Sequence, residues 1–539
     1  MNKRGLLRLL SMLFAFALVA AACGSSDSDG DTETGAESDS DSETEDEGET
    51  GGVDADAAED AVAGADEPEE EPEEEEEEEE PMADPQNIEE LEAAWAATRA
   101  EVVATLTAGI ESGDYGVGDD NILRGPGDFE IDMSTCPADW SDTEGIGDTL
   151  KLGHTTAKSG NLAAYGNIAD GMGAYFDYVN ANGGIAGTDI EWIVKDDAYV
   201  ASQTQELVAE LMGADKPFFI VTLGSPNTLA VYGTLNENCI PQPFVQTGHP
   251  AWGDPVNHPW TNGLQLNYAT EAILWGAWIK ENMADQLPVK VAGLVMENDF
   301  GLAYEGGFHS YAEANPDVIA EFNPVRHDPA APTVTNEMTT IAAKDPDVFI
   351  SMTAGNPCLL AVEEAGRTGL IEAGVTLFAP SVCKDPNAYM IPAGEAADGW
   401  YIVGGGVKAT TDPQYADDPY ISWVNETMAA AGLDTSVGLY GTGFANFAWP
   451  SVETLRIAAE LPGGLTRTNF ALTVRGLDLN HPITLDGITF SSNGVEDGYF
   501  IEGSEFSKYD AAGETWIQEG AVIDLNGSSP NCAWDDGSC

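Results

Sequence analysis

Basic residues are scarce in this chain. Its 539 residues hold 20 Lys and Arg against 94 Asp and Glu, a formal net charge of −74. A nucleic-acid binder working through a basic face is excluded, because nothing offsets phosphate repulsion. Long apolar runs are missing except at the very N-terminus, so no segment of the body reads as membrane-spanning. Cysteine is sparse at 7 residues, with no Cys-x-x-Cys and no Cys/His cluster at zinc spacing. His-Glu-x-x-His and Gly-x-Ser-x-Gly do not occur. Gly171-Met172-Gly173 falls inside a helical pattern rather than after a strand, and Gly441-Thr442-Gly443 lacks a third glycine, so neither is a dinucleotide loop. No enzyme, metal or cofactor is called for. What the chain does have is apolar material: 43% of residues, including 12 Trp, 18 Phe and 16 Tyr, which excludes bulk disorder. The length allows two to four domains.

The first residues read as an address. Lys3, Arg4 and Arg8 precede an apolar run from Leu9 to Ala22, then Cys23 follows three alanines. A charged start, a short apolar stretch and small residues at the cut describe a secretory signal over residues 1–22. A Cys directly after small residues resembles the bacterial lipobox, which implies lipidation of Cys23; a plain signal peptide is the alternative. From Gly24 to Gln86 the chain holds 30 acidic residues and no basic ones, ending near the run Glu73 to Glu80. Like charges repel and little can be buried, so residues 23–86 are expected to be a disordered tether, about 45 Å in span before self-repulsion stretches it. With +3 in the signal and −30 in the tether, residues 87–539 carry −47. So acidic a body suits a saline medium, where screening tames self-repulsion; acidic surroundings are the rival explanation. Six cysteines remain beyond Cys23, compatible with three disulfides in one of 15 pairings. Cys358–Cys383 is the preferred pair, since both fall just beyond neighbouring predicted strands.

Periodicity predicts a helix over Ile88 to Ser112, then an irregular Gly- and Asp-rich stretch to Ile146. From Leu150 strands and helices alternate: strands at 150–153, 190–194, 217–223 and 243–246, with helices at 162–181, 201–212 and 227–235. The rhythm restarts with a helix at 268–283. Strands follow at 289–296, 318–322, 348–353 and 375–379, separated by helices at 302–314, 333–343 and 359–368. Such alternation means parallel sheets with right-handed crossovers, and two blocks mean two doubly wound lobes. Beyond a strand at 401–404, helices are predicted at 419–431, 441–459 and 468–474, then short antiparallel strands at 488–490, 498–500 and 516–523.

Lys158-Ser159-Gly160-Asn161-Leu162-Ala163-Ala164-Tyr165-Gly166 follows the first strand. Val179-Asn180-Ala181-Asn182-Gly183-Gly184-Ile185-Ala186-Gly187 precedes a strand ending at Asp196-Asp197. Together these resemble the leucine/isoleucine/valine-binding type of solute-binding protein of ABC importers, over about Thr149 to Asn526. The resemblance implies an α/β fold of two Rossmann-like doubly wound lobes joined by three hinge crossings, the type I periplasmic-binding fold. Lobe 1 would comprise residues 148–266 and 403–480, and lobe 2 residues 267–402 and 481–526. An accessory segment, 87–147, would precede them and a Cys-containing tail, 527–539, would follow. A ligand would lie in the cleft, beyond the carboxyl ends of the strands.

Candidate ligand-binding residues therefore follow strands. Thr156, Ser159 and Tyr165 come after the first strand, and Ser225, Asn227 and Thr228 open a helix after the third, where N–H groups and hydroxyls can hold a carboxylate. Thr247 and Gly248 match the family's second carboxylate-contacting loop. In lobe 2, Asp299 and Phe300 match its aromatic-Gly turn, Asn356 and Ser381 follow later strands, and Tyr440 sits where the family places an apolar or aromatic contact. Ser225 and Thr228 serve equally as helix caps, while His154, His249, Trp252 and Trp260 are weaker candidates. The sequence departs from the family at Pro380-Ser381-Val382, where amino-acid binders carry an acid for the ligand's ammonium; Asp299 or Asp385 would have to substitute. Expected partners are a small polar solute, ABC permease subunits and the membrane through a lipid anchor, with the protein itself extracytoplasmic and monomeric. A ligand-sensing receptor module of the same fold is the alternative, and an exported hydrolase the remote one.

Overall fold

The computed structural model describes residues 51–65 and 85–534. The expected signal segment, Cys23, most of the acidic tether and Cys539 lie outside the described residues. Residues 51–65 depart from the expected disordered tether, because 55–65 form helix α1 (Ala55–Ala65). Asp54 starts it by accepting the N–H groups of Asp56 and Ala57 at 2.9 and 3.3 Å. Val53, Ala58 and Val62 then recur near helical spacing and are buried, so a short apolar face survives within the acidic composition.

Helix α2 (Ile88–Ser112) has the predicted bounds. Asn87 caps it through the Glu90 N–H, and Gly113, at φ 83°, ends it. The stretch read as irregular forms a small antiparallel sheet: β1 (Gly116–Val117), β2 (Ile122–Arg124) and β3 (Glu130–Asp132). Its core is only Leu123, Phe129 and Ile131 with a few neighbours, too few apolar positions to show a period. The Cys136–Cys239 disulfide fastens this segment to lobe 1.

Lobe 1 begins with β4 (Thr149–Thr156), α3 (Gly166–Ala181), β5 (Asp189–Asp196) and α4 (Ala201–Glu210). It continues with β6 (Phe219–Thr222), α5 (Ser225–Glu237), β7 (Gln242–Val245) and β8 (Thr261–Gly263). The strands are parallel in the order β5-β4-β6, and a Leu223–Gln246 bridge leads on to β7-β8. Both β6 and β7 are buried at every residue, as strands covered on both faces must be.

Lobe 2 opens with α6 (Tyr268–Asn282), β9 (Val289–Met296), α7 (Asp299–Ala314), β10 (Ile319–His327) and α8 (Thr335–Ala342). Then come β11 (Val348–Met352), α9 (Asn356–Thr368), β12 (Thr376–Ala379) and β13 (Tyr401–Val403). The chain returns to lobe 1 for α10 (Pro419–Ala430), α11 (Gly438–Gly441), α12 (Trp449–Glu460) and α13 (Arg467–Val474). It crosses back to lobe 2 for β14 (Ser504–Asp510) and β15 (Thr515–Ile523). The lobe 2 sheet has the order β10-β9-β11-β12-β13-β14-β15, parallel up to β13 and antiparallel beyond. The chain thus passes between the lobes three times, around 264–267, 404–418 and 475–503.

Two expectations fail in the C-terminal part. The helix read over 441–459 is interrupted by a π-helical stretch at Thr442–Ala448. The strands expected at 488–490 and 498–500 do not form. Those residues belong to the third crossing, and their aromatic rings supply packing rather than a ladder: Phe490 and Phe500 stack at 5.2 Å. Helix α1 covers α6 on lobe 2, with the Val53 N–H on Thr270 Oγ1 at 3.2 Å and Glu59 taking both the Tyr311 hydroxyl and Lys280. The Cys358–Cys383 disulfide forms as expected, just beyond β11 and β12, and Cys532 is also disulfide-bonded.

Candidate functional site

A cavity of about 160 Å³ lies between the lobes, walled by both and by all three crossings. That is many times the roughly 10–15 Å³ a single water requires, and enough for a small organic molecule. Two features of the backbone shape it. Gly224, at φ 92°, stands so close to the Tyr199 ring that a Cβ would come within 2.3 Å of it. Tyr199 itself sits at φ 61°, a conformation rare for a bulky residue and held by its surroundings. On the same side, α3 and the π-helical stretch meet backbone to backbone, since a Cβ on Gly443 would strike the Ile168 carbonyl at 1.9 Å. The π-helical stretch thereby carries Thr442, Asn446 and Phe447 to the cavity wall.

Of the sequence candidates, Tyr165, Thr247, Phe300 and Ser381 line the cavity. Tyr165 also ties the lobes together, its hydroxyl accepting the Gly355 N–H at 3.0 Å. Ser225, Asn227 and Thr228 lie beneath the wall, fully buried. Their polar groups are used inside lobe 1: Ser225 Oγ with Thr247 Oγ1 at 2.7 Å, Asn227 Nδ2 to Thr204 Oγ1 at 2.8 Å, and Thr228 Oγ1 with Thr222 Oγ1 at 2.8 Å. Gly248 is covered by the Leu266 carbonyl and the Tyr268 ring. Ser159 is exposed in the loop beyond β4, beside Asp196, and Thr156 is buried below it. Asp299 and Asn356 begin α7 and α9 and do not line the cavity, and Tyr440, also absent from its wall, packs its backbone against Gly171. His154 and His249 are buried and pushed down to about 3, so both are neutral; neither they nor Trp252 and Trp260 line the cavity.

Lining residues that sequence reasoning missed include Gln265, Leu266, Lys408, Thr410 and Thr411 of the crossings, Asn446 and Phe447 of the π-helical stretch, and Tyr199 and Tyr268 as further aromatic walls. A tyrosine shortly after a strand, as Tyr199 is after β5, was the one available signal.

The charged groups here are matched within the protein. Lys384 donates to the carbonyls of Gly404 and Val407 at 3.1 and 2.6 Å and to Glu505 Oε1 at 2.5 Å. Lys408 pairs with Asp418 at 2.8 Å. Asp385, pushed up by burial, accepts the N–H groups of Asn387 and Gly438 at 3.0 and 3.1 Å and the Thr411 hydroxyl at 3.2 Å. Behind Ser381, where the family's acid was missed in the sequence, stands Glu271 of α6. It accepts the Ser381 N–H and Oγ–H at 2.7 and 2.8 Å and the Tyr304 hydroxyl at 2.9 Å. Burial raises it to about 7. Among the described residues no cluster of three or more His, Cys, Asp or Glu is placed to hold a metal, and no helix is long and apolar enough to cross a membrane.

The family model described as "Periplasmic binding protein" matches residues 149–503. No curated protein matches the chain. Among solved structures, a branched chain amino acid ABC transporter from Thermus thermophilus with bound valine is 17% identical. That match covers 70% of this chain and 96% of the other, at a TM-score of 0.61. A fatty acid ABC transporter substrate-binding protein from Thermomonospora curvata is 19% identical, covering 75% and 96%, at 0.58. A solute binding protein of an ABC transporter from Rhodopseudomonas palustris BisB5, in complex with 3,4-dihydroxy benzoic acid, is 19% identical, covering 71% and 99%, at 0.58. At these identities the solved structures speak for the fold alone.

Proposed function

Because the chain belongs to the periplasmic binding protein family, a family of solute-binding proteins and not of enzymes, we propose that it is the substrate-binding component of an ABC importer. It captures a small polar solute, of the amino acid, amide or organic acid class, between its two lobes outside the cytoplasm. The observation that carries this reading is the cavity itself, which both lobes and all three crossings line. Such a site is complete only when the lobes are closed, so ligand binding and closure are one equilibrium. The valine, fatty acid and dihydroxybenzoic acid named for the structural relatives span the same range of small molecules. Tyr165, Thr247, Phe300 and Ser381 are the proposed contacts from the sequence set. Cleavage before Cys23 and lipidation of that thiol would moor the protein to the membrane, and the closed monomer would dock on permease subunits.

Calorimetry against small metabolites, followed by small-angle scattering with each hit, tests the reading. Binding with a decrease in radius of gyration is expected. Hits that bind without any compaction would overturn the clamp mechanism.

A further inference from the structure

The crossings are not the only chain that meets the hinge. Residues 51–53, outside the matched family span of 149–503, run across it as well. The Gly51 carbonyl accepts Asn267 Nδ2 of the first crossing at 2.5 Å. The same nitrogen donates to the Tyr499 hydroxyl of the third crossing at 3.2 Å, and that hydroxyl donates to the Pro250 carbonyl of lobe 1 at 2.9 Å. One connected set of hydrogen bonds thus joins this arm, two crossings and lobe 1. Gly51 also presses on lobe 1 directly. It has φ 71°, and a Cβ there would stand 2.8 Å from the Pro250 side chain, so the seat takes only glycine. Two residues further on the arm belongs to lobe 2. The Val53 N–H rests on Thr270 Oγ1 at 3.2 Å, and Val53, Ala58 and Val62 are buried where α1 covers α6.

These contacts coexist with a closed cleft. Tyr165 of lobe 1 accepts the Gly355 N–H of lobe 2, and Asn161 Nδ2 of lobe 1 donates to the Pro329 carbonyl of lobe 2 at 3.4 Å. A segment fastened on both sides of a hinge keeps all its contacts only at lobe angles that leave both sides within reach. Swinging lobe 2 open carries Thr270 away from Pro250, so either the Gly51 seat or the α1 seat must yield. Contacts present in one state and lost in the other shift the equilibrium toward the first. Helix α1 cannot persist by itself, because 11 residues are too few for a stable helix in water. The arm is therefore ordered only where it is seated.

We propose that Gly51–Ala65 is a strap across the hinge that biases the solute-free clamp toward closure. The strap sets what fraction of the protein is closed before solute arrives, and with it the apparent affinity for any solute. The inference rests on the two-lobe clamp reading but not on the identity of the solute.

Hydrogen exchange on the full-length protein, freed of co-purifying solute by unfolding and refolding, tests it through two amides. The Val53 amide reports the seat of the strap, and the Gly355 amide, bonded to Tyr165 across the cleft, reports opening. Gly51→Val removes the seat at the hinge, and Val62→Asp places a charge in the face that covers α6. In each variant Val53 should lose protection and Gly355 should exchange about fivefold faster or more, while the amides of β9 in the lobe 2 core keep their parent rates. An exposed Val53 amide with an unchanged Gly355 rate overturns the proposal, leaving the arm a passive attachment. A Val53 amide still protected in both variants also overturns it, because the contacts named here would then not hold the arm. Where β9 loses protection the variant has unfolded, and the milder Gly51→Ala and Val62→Ala are judged by the same two amides. Solute capture is judged separately by the metabolite screen, so the strap can fail while the clamp stands.

Discussion

Glu453 and Glu271 are both fully buried carboxylates, yet the two lobes hold them differently. Glu453, on α12 of lobe 1, faces two guanidinium groups: Arg99 from α2 and Arg456 at 2.8 Å. Glu271, on α6 of lobe 2, is held by neutral donors from Ser381 and Tyr304. The first arrangement is a fastener. It joins a helix that precedes the matched family span to the body of lobe 1, and charge pairing supplies the specificity of that joint. The second is a polar floor under the cavity wall, where an acid is buried without a countercharge and its proton affinity rises in consequence. Burial pushes both carboxyls up, Glu453 despite its two guanidinium partners, so the difference lies in what holds each: arginines make a joint in one lobe, and neutral donors leave an acid without a countercharge beside the ligand site in the other.

The joint can be broken most severely at Trp95. Its ring is 4% exposed and packs edge-on against Tyr420 at 5.8 Å and Trp449 at 5.6 Å. Trp95→Ala should cost about 4 kcal/mol in denaturant unfolding, by lost burial plus the residual cavity. A cost below about 1 kcal/mol would mean that α2 contributes little to lobe 1. Arg99→Met comes next. It leaves Glu453 buried with Arg456 alone and should cost about 3 kcal/mol. Adding Glu453→Gln should recover part of that loss, because the penalty lies mainly in the stranded carboxylate. A double variant no better than Arg99→Met would locate the loss in packing of the arginine stem instead.

Legibility in the sequence follows the same division. The strand–helix alternation was readable because each element carries its own period, and β9 and α2 have the bounds that periodicity gave. Helix α1 was not, since Val53, Ala58 and Val62 make a face only once α6 is there to receive it. Strand β14 was hidden because Glu505 and Lys508 interrupt its apolar pattern, and Glu505 is tolerated inside through distant partners, Lys384, 121 residues away, and the Gly406 N–H at 3.0 Å. At the site, strand-end logic reached Tyr165, Thr247, Phe300 and Ser381. It could not reach Thr410 or Asn446, because no local rule says where a crossing or a π-helical stretch will come to rest. The same logic put Ser225 and Thr228 at the cavity, whereas their hydroxyls are spent on neighbouring threonines beneath it.

The floor is tested by pH. Glu271 ordinarily titrates near 4.5 and is raised to about 7 in the folded protein. The folded state therefore binds this proton more tightly than the unfolded chain, and the residue's contribution to stability falls as pH rises from about 4.5 to about 7. Glu271→Gln keeps the shape and removes the titration. Relative to the parent, the variant should gain on the order of 2 kcal/mol between pH 4.5 and 8. Unfolding free energies measured across that window should converge or cross; a constant offset between the two proteins would refute the assignment.

The smallest expected effect sharpens what burial contributes to the Glu453 joint. Lys158 and Asp170 also form an ion pair in lobe 1, at 2.5 Å, but their side chains are 37% and 40% exposed. Water screens such a pair and ordering two long side chains offsets much of the attraction, so Lys158→Ala should cost less than about 0.5 kcal/mol. The body around it carries −47, so removing a cation also adds slightly to the self-repulsion. Both contributions are electrostatic and exposed, and both should vanish in molar salt, where the Debye length falls to about 3 Å. The Arg99→Met penalty should persist under those conditions, because ions do not reach Glu453. Denaturation of the two variants with urea at low and molar salt makes the comparison directly; equal salt sensitivity in the two would show that the Glu453 joint is as open to solvent as the surface pair.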